Sequence, residues 1–298
     1  MIPYSIGAVL TVASPGNHKT DEADAIYGKM RTRASAKLKY TINDVRKLHK
    51  HMPTYGGNVD GELTHYELIK PSISDLIATI KKITTALRCS PCEEGRKKVF
   101  NIIYAGHGQS SDGSWELCDG IFSGTDLYRT ICNAYGDSKN KLHVDLILDS
   151  CYSSRFLIDF IISSQNREIV YPFDCIASSL PDETSWEMDF LEHGAMSFHL
   201  TNEGNAHVDT IELAKAIDQK DHKVVVRALQ GMTVPNPITF LTNGKQHCVI
   251  LTSGHHLEVQ GAGSVELDNH IGTLTHTGIA NALATAKTAY GEDVQYEG

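Results

Sequence analysis

His143-Val144-Asp145-Leu146-Ile147-Leu148-Asp149-Ser150-Cys151-Tyr152-Ser153 decides how this chain is read. Its first seven residues are largely apolar and rich in Val, Ile and Leu, and turn-forming residues follow, so the segment reads as a buried strand. A second stretch ends the same way: Val99 to Ala105 runs into Gly106-His107-Gly108. In open α/β sheets, ligands bind in the crevice outside the carboxyl ends of the strands. If these two strands are parallel neighbours, His107 and Cys151 face one crevice and form a Cys–His dyad.

Outward from this pair, strands alternate with helices. Ile6 to Val12 reads as the first strand, and the polar, basic stretch Asn17 to Lys39 as a long loop. Thr41 to Met52 places Ile42, Val45, Leu48 and His49 on one helical face, ended by Pro53 and Gly56-Gly57. A strand is expected over Glu62 to Ile69. Ser72 and Asp75 then supply a cap for a helix in which Leu76, Ile80, Ile83 and Leu87 recur at spacings of three and four. Ser123 opens another helix, Ser153 to Ser164 a further one, and Phe173 to Ser179 is a strand. Asp209 with Glu212 resembles a capping box for a helix over Ile211 to Ile217, and His247 to Thr252 is the last clear strand. This alternation argues for an α/β fold with a mainly parallel sheet covered on both faces. From Ser253 onward Gly, Ala, Thr and His dominate, with a helix expected over Ala280 to Tyr290. This part reads as a C-terminal appendage: a tail, a small β-hairpin element or an oligomer contact.

Composition narrows the function classes. The 298 residues are 41% hydrophobic, enough for a proper core. The formal net charge of −9 argues against a nucleic-acid partner, because phosphate contacts need clustered Lys and Arg. Seven scattered cysteines do not form a secreted disulfide framework and point to a reducing, cytoplasmic setting. No apolar stretch approaches the roughly 20 residues that cross a bilayer, so no membrane partner is expected. Nothing in the sequence fixes the oligomeric state.

The chemistry follows from residue types. A cysteine nucleophile needs a base, and a histidine takes its proton and later returns one to the leaving amine. The glycines around His107 allow a sharp turn and close substrate approach. Amides of Gly108 and Cys151 are placed to form an oxyanion hole. A helix opening just after Cys151 is expected to favour the thiolate through its dipole. Taken singly, Cys151 fits a small buried hydrophobe and His107 a turn residue; their joint position at two strand ends points to catalysis. An α/β-hydrolase elbow needs small residues two positions either side of the nucleophile, where this chain has Asp149 and Ser153. No phosphate-binding glycine motif follows a strand. Cys89-Ser90-Pro91-Cys92 has C-x-x-C spacing but no second pair to complete a zinc set, and it is assigned no function. His255, His256, His270 and His276 read as solvated side chains.

Tyr104-Ala105-Gly106-His107-Gly108 together with Asp149-Ser150-Cys151-Tyr152-Ser153 resembles the caspase-like cysteine peptidases, the metacaspases and their bacterial relatives (orthocaspases) most closely. In that class the His lies about 50 residues upstream of the Cys. Ile42-Asn43-Asp44-Val45 is similar to the family's helix start, and Trp115-Glu116-Leu117-Cys118-Asp119-Gly120 to the segment after its His-Gly. Ala177-Ser178-Ser179 through Glu183, then His193-Gly194-Ala195-Met196-Ser197-Phe198, resembles the small-subunit portion. The similarity spans roughly Ser5 to Thr252, with a large-subunit-like part to about residue 165.

The resemblance implies a three-layer sandwich with a mainly parallel six-stranded sheet, and endopeptidase activity on a protein or peptide substrate. It implies His107 as general acid and base, Cys151 as the nucleophile forming an acyl-enzyme, and Gly108 and Cys151 amides as the oxyanion hole. It also implies that Asp149 and Asp44 line the first specificity pocket and pair with a substrate Arg or Lys. The other reading of Asp149 is a strand-end carboxylate capping the next helix, and of Asp44 a helix-start residue. Metacaspases often carry Gly where this chain has Ser154, and His where it has Tyr152. The acidic pair they use for calcium is not found in Asp112 to Asp119, so no cofactor is expected. Cleavage after basic residues makes Arg167, Arg31 and Arg33 candidate self-processing sites. The alternatives are a caspase-like scaffold that signals by assembly without cleaving, and a peptidase with a non-basic preference.

Overall fold

The computed structural model describes residues 6–16, 38–51, 64–92, 97–136, 138, 140–164, 169–188, 192–201, 246–252, 256–259, 264–267 and 275–291. In chain order these form β1 (Ile6–Ser14), α1 (Thr41–His51), β2 (Thr64–Ile69), α2 (Ile73–Cys89), β3 (Lys98–Gly106), β4 (Trp115–Leu117), β5 (Gly120–Phe122), α3 (Gly124–Tyr135), β6 (Leu142–Asp149), α4 (Ser153–Ser164), β7 (Val170–Ala177), β8 (Glu187–Met188), β9 (His193–Gly194), α5 (Ala195–Thr201), β10 (Val249–Thr252), β11 (His256–Val259), β12 (Ser264–Glu266) and α6 (His276–Gly291).

The chain is an α/β protein with a mixed, mostly parallel sheet flanked by helices. Eight strands run in the order β12-β11-β10-β7-β6-β3-β1-β2. Strands β2, β1, β3, β6 and β7 are parallel neighbours, and β10, β11 and β12 continue the sheet antiparallel. The sheet therefore has eight strands where the resemblance implies six. The additional two follow Thr252: the stretch read as an appendage supplies β11, β12 and α6, and its Leu257, Val259, Leu267, Ile279 and Leu283 join the main core. The sparse large apolar groups there hid this, because four short strand residues need only two inward side chains.

Every residue of β3 and β6 is buried, the signature of parallel strands covered on both faces. Helices α2, α3, α4 and α6 pack in a row on one face, while α1 lies on the other against β1, β3 and α5. The expected cap is present, with Ser72 and Asp75 opening α2; Ser123 opens α3 as expected, through a capping box with Asp126. The hairpin β4–β5 forms between β3 and α3. The expected helix over 211–217 lies outside the described residues. Among the described residues, no helix is long and apolar enough to cross a membrane.

The path of the chain fixes where a site can lie. Strand β2 is added on one side of β1, and the chain then crosses to add β3 on the other. Such a reversal of strand order opens a crevice at the carboxyl ends of the strands. Those ends carry Ser14, Gly106 and Asp149.

Candidate active site

Ala105 pairs with Asp149 at the end of the β3–β6 ladder, so the chains leaving the sheet bring Gly106 level with Ser150 and His107 level with Cys151. The next residue shows how closely they meet. A Cβ placed on Gly108 would stand 2.0 Å from the Cys151 carbonyl oxygen and 3.3 Å from Ser150 Oγ. Only glycine fits there, and the His loop lies directly on the nucleophile turn.

That loop is held from behind. Gly108 bridges to Trp115; the bridge's hydrogen bonds run from Glu116 N–H to the His107 carbonyl (3.1 Å) and from Gln109 N–H to the Ser114 carbonyl (2.9 Å). The amide of Gly108 itself takes no part in those bonds, as suits an oxyanion donor. Tyr104 donates to the His107 carbonyl at 2.8 Å. Trp115, fully buried, stacks between Tyr104 and Phe156 with ring centroids 4.3 and 4.4 Å away. One aromatic stack thus joins β3, the hairpin after His107 and the helix after Cys151.

The turn at the nucleophile is tight. Tyr152 sits at φ 56, a left-handed conformation that costs a bulky residue about 1–2 kcal/mol. Its N–H donates to the Glu183 carbonyl at 2.9 Å, the Ser153 N–H to Ser179 Oγ at 3.1 Å, and the Ser154 N–H to the Ser179 carbonyl at 3.2 Å. The opening amides of α4 are therefore engaged with Ser179, and the expected dipole activation of Cys151 gives way to another effect. Burial pushes the Cys151 thiol up; the Ser185 backbone pulls the other way, the charge of Asp149 adds a smaller upward push, and its own amide a still smaller downward one. Cys151 rests as a thiol and depends on a base. His107 lies half-buried just past the end of the adjacent strand.

The two carboxyls converge on Gly194. Both oxygens of Asp44 accept the Gly194 N–H, at 3.1 and 3.2 Å, and a Cβ on Gly194 would lie 2.4 Å from Asp149 Oδ2. His193 Nδ1 stands 2.7 Å from Asp44 Oδ1. Burial, then the charge of Asp149, raise Asp44 to about 9, while burial and Lys47 lower His193 to about 4. At neutral pH the Asp44 carboxyl keeps its proton and the imidazole is neutral. Asp149 accepts from Ser185 Oγ on Oδ1 (2.8 Å) and from the Ser197 N–H on Oδ2 (3.2 Å). It does cap a helix, but that helix is α5, whose first turn holds Ser197, and not the one after Cys151.

Ser185 connects the two features. Its hydroxyl holds Asp149, and its carbonyl accepts from Cys151 Sγ at 3.7 Å. Gln246, fully buried, fixes this loop by donating to the Ser178 carbonyl (2.9 Å) and Ser185 Oγ (3.3 Å) and accepting from the Trp186 N–H (3.0 Å). Ser185 and Gln246 were not singled out by sequence, since neither sits in a periodic pattern. Gly194 and Ser197 fell in the His193–Phe198 stretch, without a role. Arg31, Arg33 and Arg167 lie outside the described residues.

All seven cysteines lack a disulfide. Cys89 ends α2, exposed, with Cys92 half-buried beyond it. Of the tail histidines, His256 lies in β11 and His276 opens α6, 3.5 Å from Asp159; His255 and His270 lie outside the described residues. Among the described residues no group of three or more His, Cys, Asp or Glu is placed to hold a metal ion. Compared with known proteins, the chain matches no family model and no curated sequence.

Proposed function

We propose that this chain is a cysteine endopeptidase of the caspase-like class, with that class's sandwich fold, acting after Arg or Lys. The observation that supports the reading is the seat of Gly108 against the Cys151 carbonyl, at the ends of two adjacent parallel strands; in this reading His107 and Cys151 share one crevice. In this reading His107 takes the thiol proton as Sγ attacks the scissile carbonyl carbon. The amides of Gly108 and Cys151 hold the oxygen that gains the charge. His107 then protonates the amine as the C–N bond breaks, and water, deprotonated by His107, hydrolyses the thioester.

Asp149 and Asp44, on either side of Gly194, support a basic side chain in the first pocket. The hold of Asp149 on α5 favours a second reading, in which Asp149 is structural and the preference is non-basic. A fluorogenic library varied at the residue before the cleaved bond decides between them. Cleavage after Arg and Lys, lost in Cys151→Ala, is the expected result. Cleavage after Asp or Leu instead sinks the specificity, and no cleavage with no labelling of Cys151 by a thiol probe sinks the enzyme and leaves the assembly scaffold.

A further inference from the structure

Three segments supply the proposed site: the loop after His107, the turn at Cys151, and the loop from Ser178 to Glu187. One residue touches all three, two of them through its side chain. Arg155 lies in the first turn of α4, four residues after Cys151, and its N–H donates to the Tyr152 carbonyl at 2.9 Å. Its Nη1 donates to the Ser111 carbonyl at 3.0 Å, and its Nε donates to the Pro181 carbonyl. Both side-chain acceptors are backbone carbonyls, so the guanidinium fork fixes the course of two loops.

Each loop transmits that hold to a site residue. Ser111 lies in a closed turn in which Gly113 N–H donates to the Gln109 carbonyl at 2.8 Å and Ser114 N–H to Asp112 Oδ1 at 2.9 Å. Gln109 in turn bonds Ser114 beside the Gly108 bridge. Gly113, at φ 73, presses on the start of α4: a Cβ there would meet the Tyr152 carbonyl oxygen at 2.5 Å and Phe156 N at 2.7 Å. Pro181 belongs to the loop whose Glu183 carbonyl holds the Tyr152 N–H and whose Ser185 touches both Cys151 and Asp149.

We propose that Arg155 is a positioning residue that sets the distance of the His107 loop from Cys151 and ties it to the loop bordering the acidic pair. The proposal rests on the dyad reading above. Arg155 touches no reacting atom, so its removal acts on geometry alone. A misplacement of about 1 Å costs roughly 10²-fold in rate, and a neutral side chain at 155 is expected to lower kcat by about 10- to 10²-fold with KM within about threefold.

The test compares wild type, Arg155→Met, Arg155→Gln, Arg155→Lys and His107→Ala. The rate of Cys151 alkylation by iodoacetamide is followed against pH, with peptide turnover and a circular-dichroism melt alongside. The part of the wild-type pH profile that His107→Ala removes is expected to vanish in Arg155→Met and to survive in part in Arg155→Lys, which keeps one charged donor. A merely structural residue would move the melt and leave that part of the profile in place. Should Arg155→Met not fold, Arg155→Gln, which keeps one donor, carries the comparison. A wild-type profile and kcat in either neutral variant overturns the positioning role while leaving the dyad standing. A wild type whose profile His107→Ala does not change overturns the dyad itself, and this proposal with it.

Discussion

Gly108→Ala is the sharpest perturbation of the proposed site. The new methyl would start 2.0 Å from the Cys151 carbonyl oxygen, whereas real Cβ atoms keep at least 3.0 Å from such neighbours. The His loop and the nucleophile turn must therefore part by at least about 1 Å. Neither side gives easily: the loop is bonded to Glu116, Tyr104 and the Trp115 stack, and the turn to Glu183 and Ser179. Overpacking of this kind costs about 1–3 kcal/mol, which lowers Tm by several degrees. The larger effect is on rate, since a shift of about 1 Å in a catalytic pair costs roughly 10²-fold. The assay is kcat/KM on a peptide with a basic residue before the cleaved bond, with thermal melts and Gly120→Ala as control. In that control the added methyl meets only Ile73 Cδ1, at 2.8 Å, the movable end of a side chain. Gly108→Ala within threefold of wild-type activity, at unchanged Tm, would refute the placement of His107 against Cys151.

Because burial raises the Cys151 thiol, His107→Ala is expected to slow alkylation of Cys151 at pH 7 by about tenfold or more and to approach wild type only at strongly alkaline pH; equal rates at pH 7 would mean the thiol ionises without help. Gly194→Ala places a methyl 2.4 Å from Asp149 Oδ2, so KM for basic peptides should rise about tenfold while iodoacetamide still labels Cys151; an unchanged KM separates Asp149 from the pocket. Asp145, buried in β6 beside Asp174, has its carboxyl raised from 3.8 to about 7, by burial above all. Its contribution is fully present below pH 3.8 and lost as pH rises to about 7. Asp145→Asn keeps an acceptor for the Asp174 N–H and is expected to be more stable than wild type above pH 7, by up to about 4 kcal/mol. The two should converge below pH 4, and denaturant melts at pH 4 and pH 8 check this.

The central strands, with His107 and Cys151 at the ends of two of them, were legible because their signals are local. A continuous apolar run closed by turn residues marks a doubly covered strand wherever it occurs, and Ser72 and Ser123 announce their helices within one turn. The meeting of Asp44 with Gly194 was not legible, since the two lie 150 residues apart; Asp44 was singled out only through resemblance. Ser185 and Gln246 were hidden for the same reason: a half-buried hydroxyl and a buried amide act through partners that no spacing rule reveals. The stretch after Thr252 was left open between a tail, a β-hairpin element and an oligomer contact, and the hairpin is what forms. Its composition is poor in large side chains, yet an edge hairpin needs few of them when the neighbouring strand already offers its hydrogen bonds.

The acidic pair and the dyad are bound by one charge. Asp44 keeps its proton because it is buried and faces Asp149, so in the proposed pocket the two carboxyls would offer one negative charge to a basic substrate side chain. That same charge adds to burial in raising the Cys151 thiol, against the larger opposing pull of the Ser185 backbone. In the proposed reaction a basic side chain entering the pocket cancels it, and the thiol becomes easier to ionise at the moment its substrate arrives. Burial, the larger cause, stays until His107 takes the proton. A neutral side chain fills the pocket without cancelling the charge, so it forfeits rate at the thiol as well as affinity at Asp149. Selectivity for basic residues should therefore appear in kcat as well as in KM.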